Sequence, residues 1–164
     1  MRNLFILSFL LLSFFGNSQE TLQELLKTHN KERIPYISVQ ELAMPKTDAI
    51  LLDAREIKEY NVSHIPNSTY VGYDNFDLDT VIKSFPDTSK TIVIYCSVGI
   101  RSEVIAEQLK KEGYNNVFNL FGGIFEWKNN NLPLLNSEGN ETEHVHTFSK
   151  DWSKWLLKGI KIYE

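Results

Sequence analysis

Residues 91–102 constrain the fold most, because they join a buried strand to a helix through a very short loop. Their sequence is TIVIYCSVGIRS, in which an apolar, β-rich run ends at the chain's only cysteine, Cys96. Gly99 and Arg101 follow in the loop, and Ser102 opens the helical stretch SEVIAEQLKKEG. Since open α/β sheets bind ligands at the carboxyl ends of their strands, this junction predicts an α/β fold with Cys96 at the ligand-binding edge.

The loop after Cys96 has the composition of a cradle for a reactive thiolate. A free cysteine is only slightly ionised at neutral pH, whereas a nearby cation and a helix N-terminus favour the thiolate. Arg101 supplies the cation, and Ser102 is predicted to cap the helix. Gly99 lets the backbone curl so that the N–H groups of residues 97–102 face the sulfur. Two interpretations stay open: Cys96 is a nucleophile, or it is a small apolar residue that fills the core.

Short apolar runs alternate with helical patterns along the middle of the chain. The predicted strands are AILLDA (49–54), STYV (68–71), TIVIYC (91–96) and NVFNL (116–120). Helices are predicted from about residue 78 to 85 and from 102 to 112. This alternation favours a parallel sheet with helices on both faces.

Three separated segments carry a resemblance to a known family. They are LLDAREIKEYNVSHIPNSTYV at 51–71, YCSVGIRS at 95–102 and GYNNVFNLFGGIFEWKNNNLPL at 113–134. Over residues 36–135 the chain resembles the single-domain rhodaneses, which are thiosulfate-type sulfurtransferases. The resemblance implies a rhodanese-like α/β fold with about five parallel strands.

The resemblance also implies a chemistry for Cys96. The cysteine takes a sulfane sulfur from thiosulfate or a persulfide, holds it as its own persulfide, and passes it to a thiol or to cyanide without a cofactor. The implied substrate-binding residues are those of the loop: Ser97, Val98, Gly99, Ile100, Arg101 and Ser102. The family often has a basic residue directly after the cysteine, where this chain has Ser97. That departure puts efficient thiosulfate use in question without affecting persulfide chemistry.

Two other functions compete with sulfur transfer. A rhodanese-fold binding module would use the same pocket to recognise a partner without catalysis. Cysteine-dependent phosphatases and arsenate reductases place five residues between the cysteine and the arginine, forming a ring that fits a tetrahedral oxyanion. Only four residues separate Cys96 from Arg101, so the ring is predicted to be too small for phosphate.

The upstream segment offers three candidate pocket-shaping residues, namely Asp53, Arg55 and His64. Asp53 and Arg55 either shape the pocket beside Cys96 or tie a strand end to the neighbouring loop. Arg55 and Glu59 are four residues apart, so they would pair if this segment is helical. For His64 the sequence favours a hydrogen-bonded structural histidine, because transfer from an ionised thiolate needs no strong base.

The N-terminal residues 1–18 have the pattern of a secretory signal peptide. Arg2 precedes an apolar stretch, and small residues precede a predicted cleavage after Ser18. We therefore expect a periplasmic or secreted protein with no stable membrane insertion after cleavage. A single cysteine allows no internal disulfide, so a thiol reductant protein is an expected partner in an oxidising compartment.

The sequence predicts one catalytic domain with extensions on both sides. Residues 19–35 are predicted to contain an N-terminal helix, 36–135 to form the rhodanese-like domain, and 136–164 to form a linker and a C-terminal helical tail. The formal net charge of −4 gives no basic surface for a nucleic acid partner.

The predicted helical tail rests on the spacing of Trp152, Trp155 and Leu156. Three-to-four spacing is typical of an apolar helix face, so we expect a strap that packs back on the domain. His144 and His146 alternate in the same segment. Two histidines without a third ligand are weak evidence, and no metal site is predicted.

Overall fold

Five parallel strands form the central sheet of the computed structural model, which describes residues 20–163. The strands are β1 (Tyr36–Ile37), β2 (Ile50–Asp53), β3 (Ser68–Tyr70), β4 (Ile92–Tyr95) and β5 (Val117–Leu120). Their order across the sheet is β1-β5-β4-β2-β3, and every pair is parallel. The predicted α/β fold class is therefore confirmed. The predicted signal peptide, residues 1–18, lies outside the described residues.

Helices cover both faces of this sheet. They are α1 (Leu22–His29), α2 (Val39–Leu42), α3 (Ile57–Val62), α4 (Leu78–Ser84), α5 (Arg101–Lys111) and α6 (Gly123–Asn129). Helices α1, α2 and α6 pack on the face that carries Leu51 and Val93, while α4 and α5 pack on the face of Leu52 and Ile94. Successive strand residues point to opposite faces, so each strand serves two cores. No helix formed by residues 20–163 has the length and apolar character to cross a membrane.

Helix α1 is fixed at its start and at its end. The Thr21 hydroxyl accepts a hydrogen bond from the Glu24 N–H, and the Glu24 carboxylate accepts one from the Thr21 N–H, which forms a capping box. Leu25 and Leu26 are buried on the sheet side. Asn30 ends the helix, and its side chain reaches the loop after Cys96. The N-terminal segment therefore contributes directly to the candidate site.

The C-terminal segment is not the predicted helical tail. It forms strand β6 (His144–His146), a 3₁₀ helix at Trp152–Trp155 and strand β7 (Ile160–Ile162). Strands β6 and β7 pair in parallel as a second sheet. Residues Trp152–Trp155 form only a single 3₁₀ turn, which lies in the connection between the two paired strands. The segment does pack back on the domain, since Val145 and Leu156 belong to its core.

Candidate active site

Cys96 lies at the carboxyl end of β4, at the centre of the parallel sheet. It follows Tyr95 directly, and its side chain is buried. All four residues of β4 are buried too, because the strand has neighbours on both sides and helices on both faces. The sheet therefore delivers the thiol to the edge where parallel sheets bind ligands.

The loop after Cys96 turns hydrogen-bond donors toward the sulfur. The Gly99 N–H donates to Sγ over 3.2 Å, and the Ser102 hydroxyl lies 3.5 Å from Sγ. Gly99 has a φ of 109°, in the region that favours glycine. The loop thus curls back on the sulfur at the one residue that can adopt this backbone.

Two asparagines hold the loop in this curled form. The side-chain amides of Asn30 and Asn119 each donate to the Gly99 carbonyl over 2.8 Å. Asn119 also accepts a hydrogen bond from the Ser102 hydroxyl at 2.8 Å. Neither asparagine is predicted from the sequence as a site residue. Asn119 does carry a signal, because asparagine is depleted in strands and this one sits in the buried strand β5.

Arg101 is engaged by a buried carboxylate. Its Nη1 and Nη2 donate to the two Glu59 carboxylate oxygens over 2.6 and 2.7 Å, in a bidentate pair. The Ser97 hydroxyl bridges the pair, donating to Glu59 over 3.2 Å and accepting from Arg101 over 3.0 Å. Glu59 does not pair with Arg55, since that pairing was expected only if one helix held both residues. Arg55 precedes helix α3, so the spacing of four residues does not stack the two side chains.

The three predicted pocket-shaping residues are Asp53, Arg55 and His64. Arg55 pairs with Asp53 at 2.6 Å and donates to the Ser63 carbonyl over 2.7 Å. This fully buried pair ties the end of β2 to the residues after α3. His64 stacks on the Tyr60 ring, with 4.1 Å between centroids. None of the three lines the cavity at Cys96, so the structure supports their structural interpretation.

Several contacts together lower the pKa of the Cys96 thiol. Burial by itself raises this pKa, but the charge of Arg101 and hydrogen bonds from Ser102 and Gly99 outweigh it, so the pKa falls below the ordinary value. Ser102 acts from the second position of α5. The predicted capping role for Ser102 is wrong, because Ile100 occupies the N-cap and the Ser102 hydroxyl points to Asn119 and the sulfur.

Alkylation of Cys96 should therefore reach half its maximal rate at a lower pH in the native protein than in the denatured chain, whose cysteine has the ordinary pKa of about 8.5. The thiolate is the reacting form, so the rate rises as the pH passes through the lowered pKa. Iodoacetamide labelling of the native protein, followed by intact mass over a pH series, measures this midpoint. The same chain in denaturant is the control. A native midpoint equal to or above the denatured one would contradict the prediction.

A partly open cavity of about 130 Å³ adjoins the sulfur. Its wall consists of Cys96, Ser97, Val98, Ile100, Arg101, Phe148 and Trp152. Four of the six loop residues predicted to bind substrate line this cavity, whereas Gly99 and Ser102 do not. Phe148 and Trp152 are not predicted there from the sequence. Both come from the C-terminal segment and reach the site because β6 and β7 fold that segment back over the domain.

Helix α6 braces the start of the loop. The N–H groups of Ile124 and Phe125 donate to the Cys96 and Ser97 carbonyls over 2.9 and 3.1 Å. This close approach needs Gly123, because a Cβ there would lie 2.2 Å from the Cys96 carbonyl oxygen. Gly123 thus allows α6 to approach the loop that carries the thiol.

We expect Gly123→Ala to destabilise the fold by about 1–3 kcal/mol more than Gly113→Ala, the matched control. Both glycines have positive φ, so alanine strains the backbone at each, but at Gly113 the new Cβ meets no atom within 4 Å. The clash with the Cys96 carbonyl is the difference between them. Urea unfolding of the two variants measures it. Equal free energies of unfolding for the two variants would show that α6 moves away from the loop without a loss of stability.

The two histidines of β6 have different surroundings. His144 is exposed and its Nδ1 lies 3.1 Å from the Thr142 hydroxyl, whereas His146 is buried. Among residues 20–163, no three His, Cys, Asp or Glu side chains come together in a group able to hold a metal ion.

Comparison with curated proteins gives relatives that include several tRNA uridine(34) hydroxylases. The chain is 35% identical over 102 residues to the tRNA uridine(34) hydroxylases of Onion yellows phytoplasma and Aster yellows witches'-broom phytoplasma. Each match covers 59% of this chain and 33% of the relative. The protein of that name from Yersinia enterocolitica is 36% identical over 94 residues, which cover 53% of this chain and 27% of the relative. The chain thus spans about a third of the length of these relatives.

Solved structures share the fold. A thiosulfate sulfurtransferase from Pseudomonas aeruginosa superposes with a TM-score of 0.57 at 24% identity, over 75% of this chain and 23% of that one. A rhodanese-like domain protein from Staphylococcus aureus gives a TM-score of 0.51 at 24% identity, over 57% and 91%. A model of the rhodanese-like domain matches residues 38–130, which is more than half of the chain. With the parallel sheet and the cysteine loop, this match shows that the chain belongs to the rhodanese-like domain family.

Proposed function

We propose that this chain is a sulfurtransferase that carries a sulfane sulfur on Cys96. The observation that supports it is the thiol itself, which lies at the carboxyl edge of the sheet with a lowered pKa and an adjoining cavity. A cysteine that only fills the core has no need of the Gly99 and Ser102 backbone N–H groups directed at its sulfur. The donor is thiosulfate or a persulfide, and the acceptor is a thiol or cyanide.

The reaction consists of two displacements at sulfur. The Cys96 thiolate attacks the outer sulfur of thiosulfate, a bond forms between Sγ and that sulfur, and the donor's own S–S bond breaks. The electron pair of the broken bond leaves with sulfite, so the Cys96 persulfide keeps the remaining negative charge. In the second step cyanide attacks the outer sulfur and leaves as thiocyanate, which restores the Cys96 thiolate.

The loop would stabilise the carrier in its thiolate form. The backbone N–H groups of Gly99 and Ser102 donate to Sγ, so they favour the thiolate that attacks and the same thiolate when it is released. Both terminal nitrogens of Arg101 are engaged by Glu59. Arg101 would therefore act through its positive charge, which lowers the pKa of the thiol. The proposed catalyst therefore needs no separate base.

Intact mass spectrometry tests this function directly. Purified protein incubated with thiosulfate or an organic persulfide should gain the mass of one sulfur atom, and cyanide should remove it as thiocyanate. Protein whose Cys96 has been blocked with iodoacetamide is the control. No adduct with any sulfane donor would favour the binding module. Release of phosphate from an aryl phosphate would favour the phosphatase.

The relatives suggest tRNA as a second kind of substrate, because their name refers to a tRNA uridine. This chain spans only about a third of their length, and its formal net charge is −4. An acidic chain gains little from the phosphate charges that dominate binding to RNA. We therefore propose a small sulfur compound as the donor, and a thiol reductant protein as a partner that regenerates the thiol.

We also propose that the protein is exported to the periplasm or the outside of the cell. The support is the sequence of residues 1–18, with one cation, an apolar stretch and small residues before Gln19. N-terminal sequencing of the protein isolated from cell fractions tests it. The expected result is a first residue of Gln19 outside the cytoplasm, and an intact Met1 in the cytoplasm would contradict it.

A further inference from the structure

The cavity beside Cys96 has two walls of different origin. One wall is the loop from Cys96 to Arg101, and the other consists of the aromatic side chains of Phe148 and Trp152. Both aromatic residues lie outside residues 38–130, the part of the chain that the family model matches. The C-terminal segment therefore adds a surface to the site that the matched domain does not supply.

Phe148 is held in a backbone conformation that aromatic residues rarely adopt. Its φ is 64°, in the left-handed region that favours glycine. Its N–H donates to His146 Nδ1 over 3.1 Å, and its ring centroid lies 5.2 Å from Arg101 Cζ. The residue is 47% exposed, so this backbone places the ring over the loop instead of in the core.

Trp152 belongs to a segment that contacts the domain through a buried side chain and hydrogen bonds to α6. It begins the 3₁₀ helix, and Leu156, directly after that helix, is buried. Asn129 of α6 donates to the Trp155 carbonyl over 3.0 Å and accepts from the Leu157 N–H over 2.7 Å. The segment that carries Trp152 is therefore anchored to α6.

The positive charge beside the cavity is already compensated. Glu59 binds both terminal nitrogens of Arg101, and the Phe148 ring covers the guanidinium group. A small dianion such as thiosulfate would have to give up hydration without gaining a free cation in return. An apolar group, in contrast, gains free energy when it leaves water for an aromatic wall.

We propose that this cavity selects sulfur donors that carry an apolar organic group, alkyl or aryl. The organic group packs against Phe148 and Trp152 while the outer sulfur of the donor meets Cys96. The inference rests on the proposed sulfur transfer and names the substrate class of the same site. Organic persulfides and thiosulfonates are donors of this class.

The transfer from a thiosulfonate balances in the same way as the transfer from thiosulfate. The Cys96 thiolate bonds to the outer sulfur, the donor's S–S bond breaks, and its electron pair leaves on a sulfinate. With an organic persulfide the leaving group is a thiolate. In both cases the apolar group stays with the leaving group, so the aromatic wall binds donor and product alike.

The test compares two donors that differ only in their organic group. Benzenethiosulfonate and methanethiosulfonate carry the same charge and the same reacting bond, and cyanide serves as the acceptor for both. We expect the ratio of their kcat/KM values to fall about tenfold in Phe148→Ala and in Trp152→Ala, because the phenyl group loses its wall. Leu157→Ala is the control, since Leu157 is 78% exposed on the same segment and does not line the cavity. Any difference in leaving-group reactivity cancels between variants.

A second measurement needs no turnover. Benzenesulfonate has no transferable sulfur, and we expect it to protect Cys96 from iodoacetamide in the wild-type protein more strongly than methanesulfonate does. Phe148→Leu, which keeps an apolar side chain, should retain most of this protection if Phe148→Ala loses it. Ratios and protection that stay at wild-type values in both alanine variants would overturn the inference. If benzenesulfonate protects Cys96 from iodoacetamide but no sulfane donor forms a Cys96 persulfide, the proposed sulfur transfer is overturned. The apolar binding site would then still be supported.

Discussion

Replacing Cys96 with serine is expected to reduce sulfur transfer about 10³-fold or more, to the background rate. A serine hydroxyl is not ionised at neutral pH, so the contacts that stabilise a thiolate have no anion to act on. The measurement is thiocyanate formation from a sulfane donor and cyanide, together with the mass of the protein after the donor alone. The variant should gain no sulfur.

The fold should survive this substitution, because serine and cysteine differ little in shape. Circular dichroism and urea unfolding check that the variant is folded before its activity is compared. Cys96→Ala is the matched control, since it removes the nucleophile without placing a hydroxyl in the buried position. Sulfur transfer retained in either folded variant would exclude Cys96 as the carrier.

Replacing Arg101 with methionine is expected to lower the free energy of unfolding by about 3–5 kcal/mol. Glu59 has a fully buried carboxylate, and Arg101 is the cation that binds both of its oxygens. Burial raises the pKa of Glu59, but the hydrogen bonds and charge of Arg101 bring it below the ordinary value. Without Arg101 the carboxylate must stay buried unpaired or take up a proton.

The double variant Arg101→Met with Glu59→Leu separates stability from chemistry. Two apolar residues replace the buried pair, so most of the lost stability should return. The thiol pKa should stay raised in both the single and the double variant, because the charge of Arg101 that lowers it is gone from each. Urea unfolding and the pH profile of Cys96 alkylation measure the two properties. A thiol pKa that returns to the wild-type value in the double variant would contradict this role of Arg101.

The same pair makes stability depend on pH in a defined direction. Because the pKa of Glu59 is lower in the folded than in the unfolded chain, its contribution is present above the unfolded value of about 4.3. The contribution is lost as the pH falls through the folded pKa. Wild-type protein should therefore lose more stability on acidification than the double variant does.

The sequence by itself determined the α/β architecture and the position of Cys96 as the candidate reactive residue. Buried runs such as Ile92–Tyr95 have the apolar pattern of parallel strands, and their alternation with helices was enough to predict the sheet. The position of Cys96 between a strand and a helix follows from local pattern alone. Both predictions depend on residues that are adjacent in the chain, which is why no three-dimensional information was needed.

Only the tertiary structure decided which side chains act on the thiol. Glu59 meets Arg101 across 42 positions of sequence, and Asn30 meets Gly99 across 69. The spacing of Trp152 and Leu156 fits a helix face and predicts a helix in the C-terminal segment, whereas the pairing of β6 with β7 joins residues 16 positions apart. That pairing carries Phe148 and Trp152 to the cavity. Contacts of this kind are selected by packing and burial in the folded chain, so local sequence pattern does not reveal them.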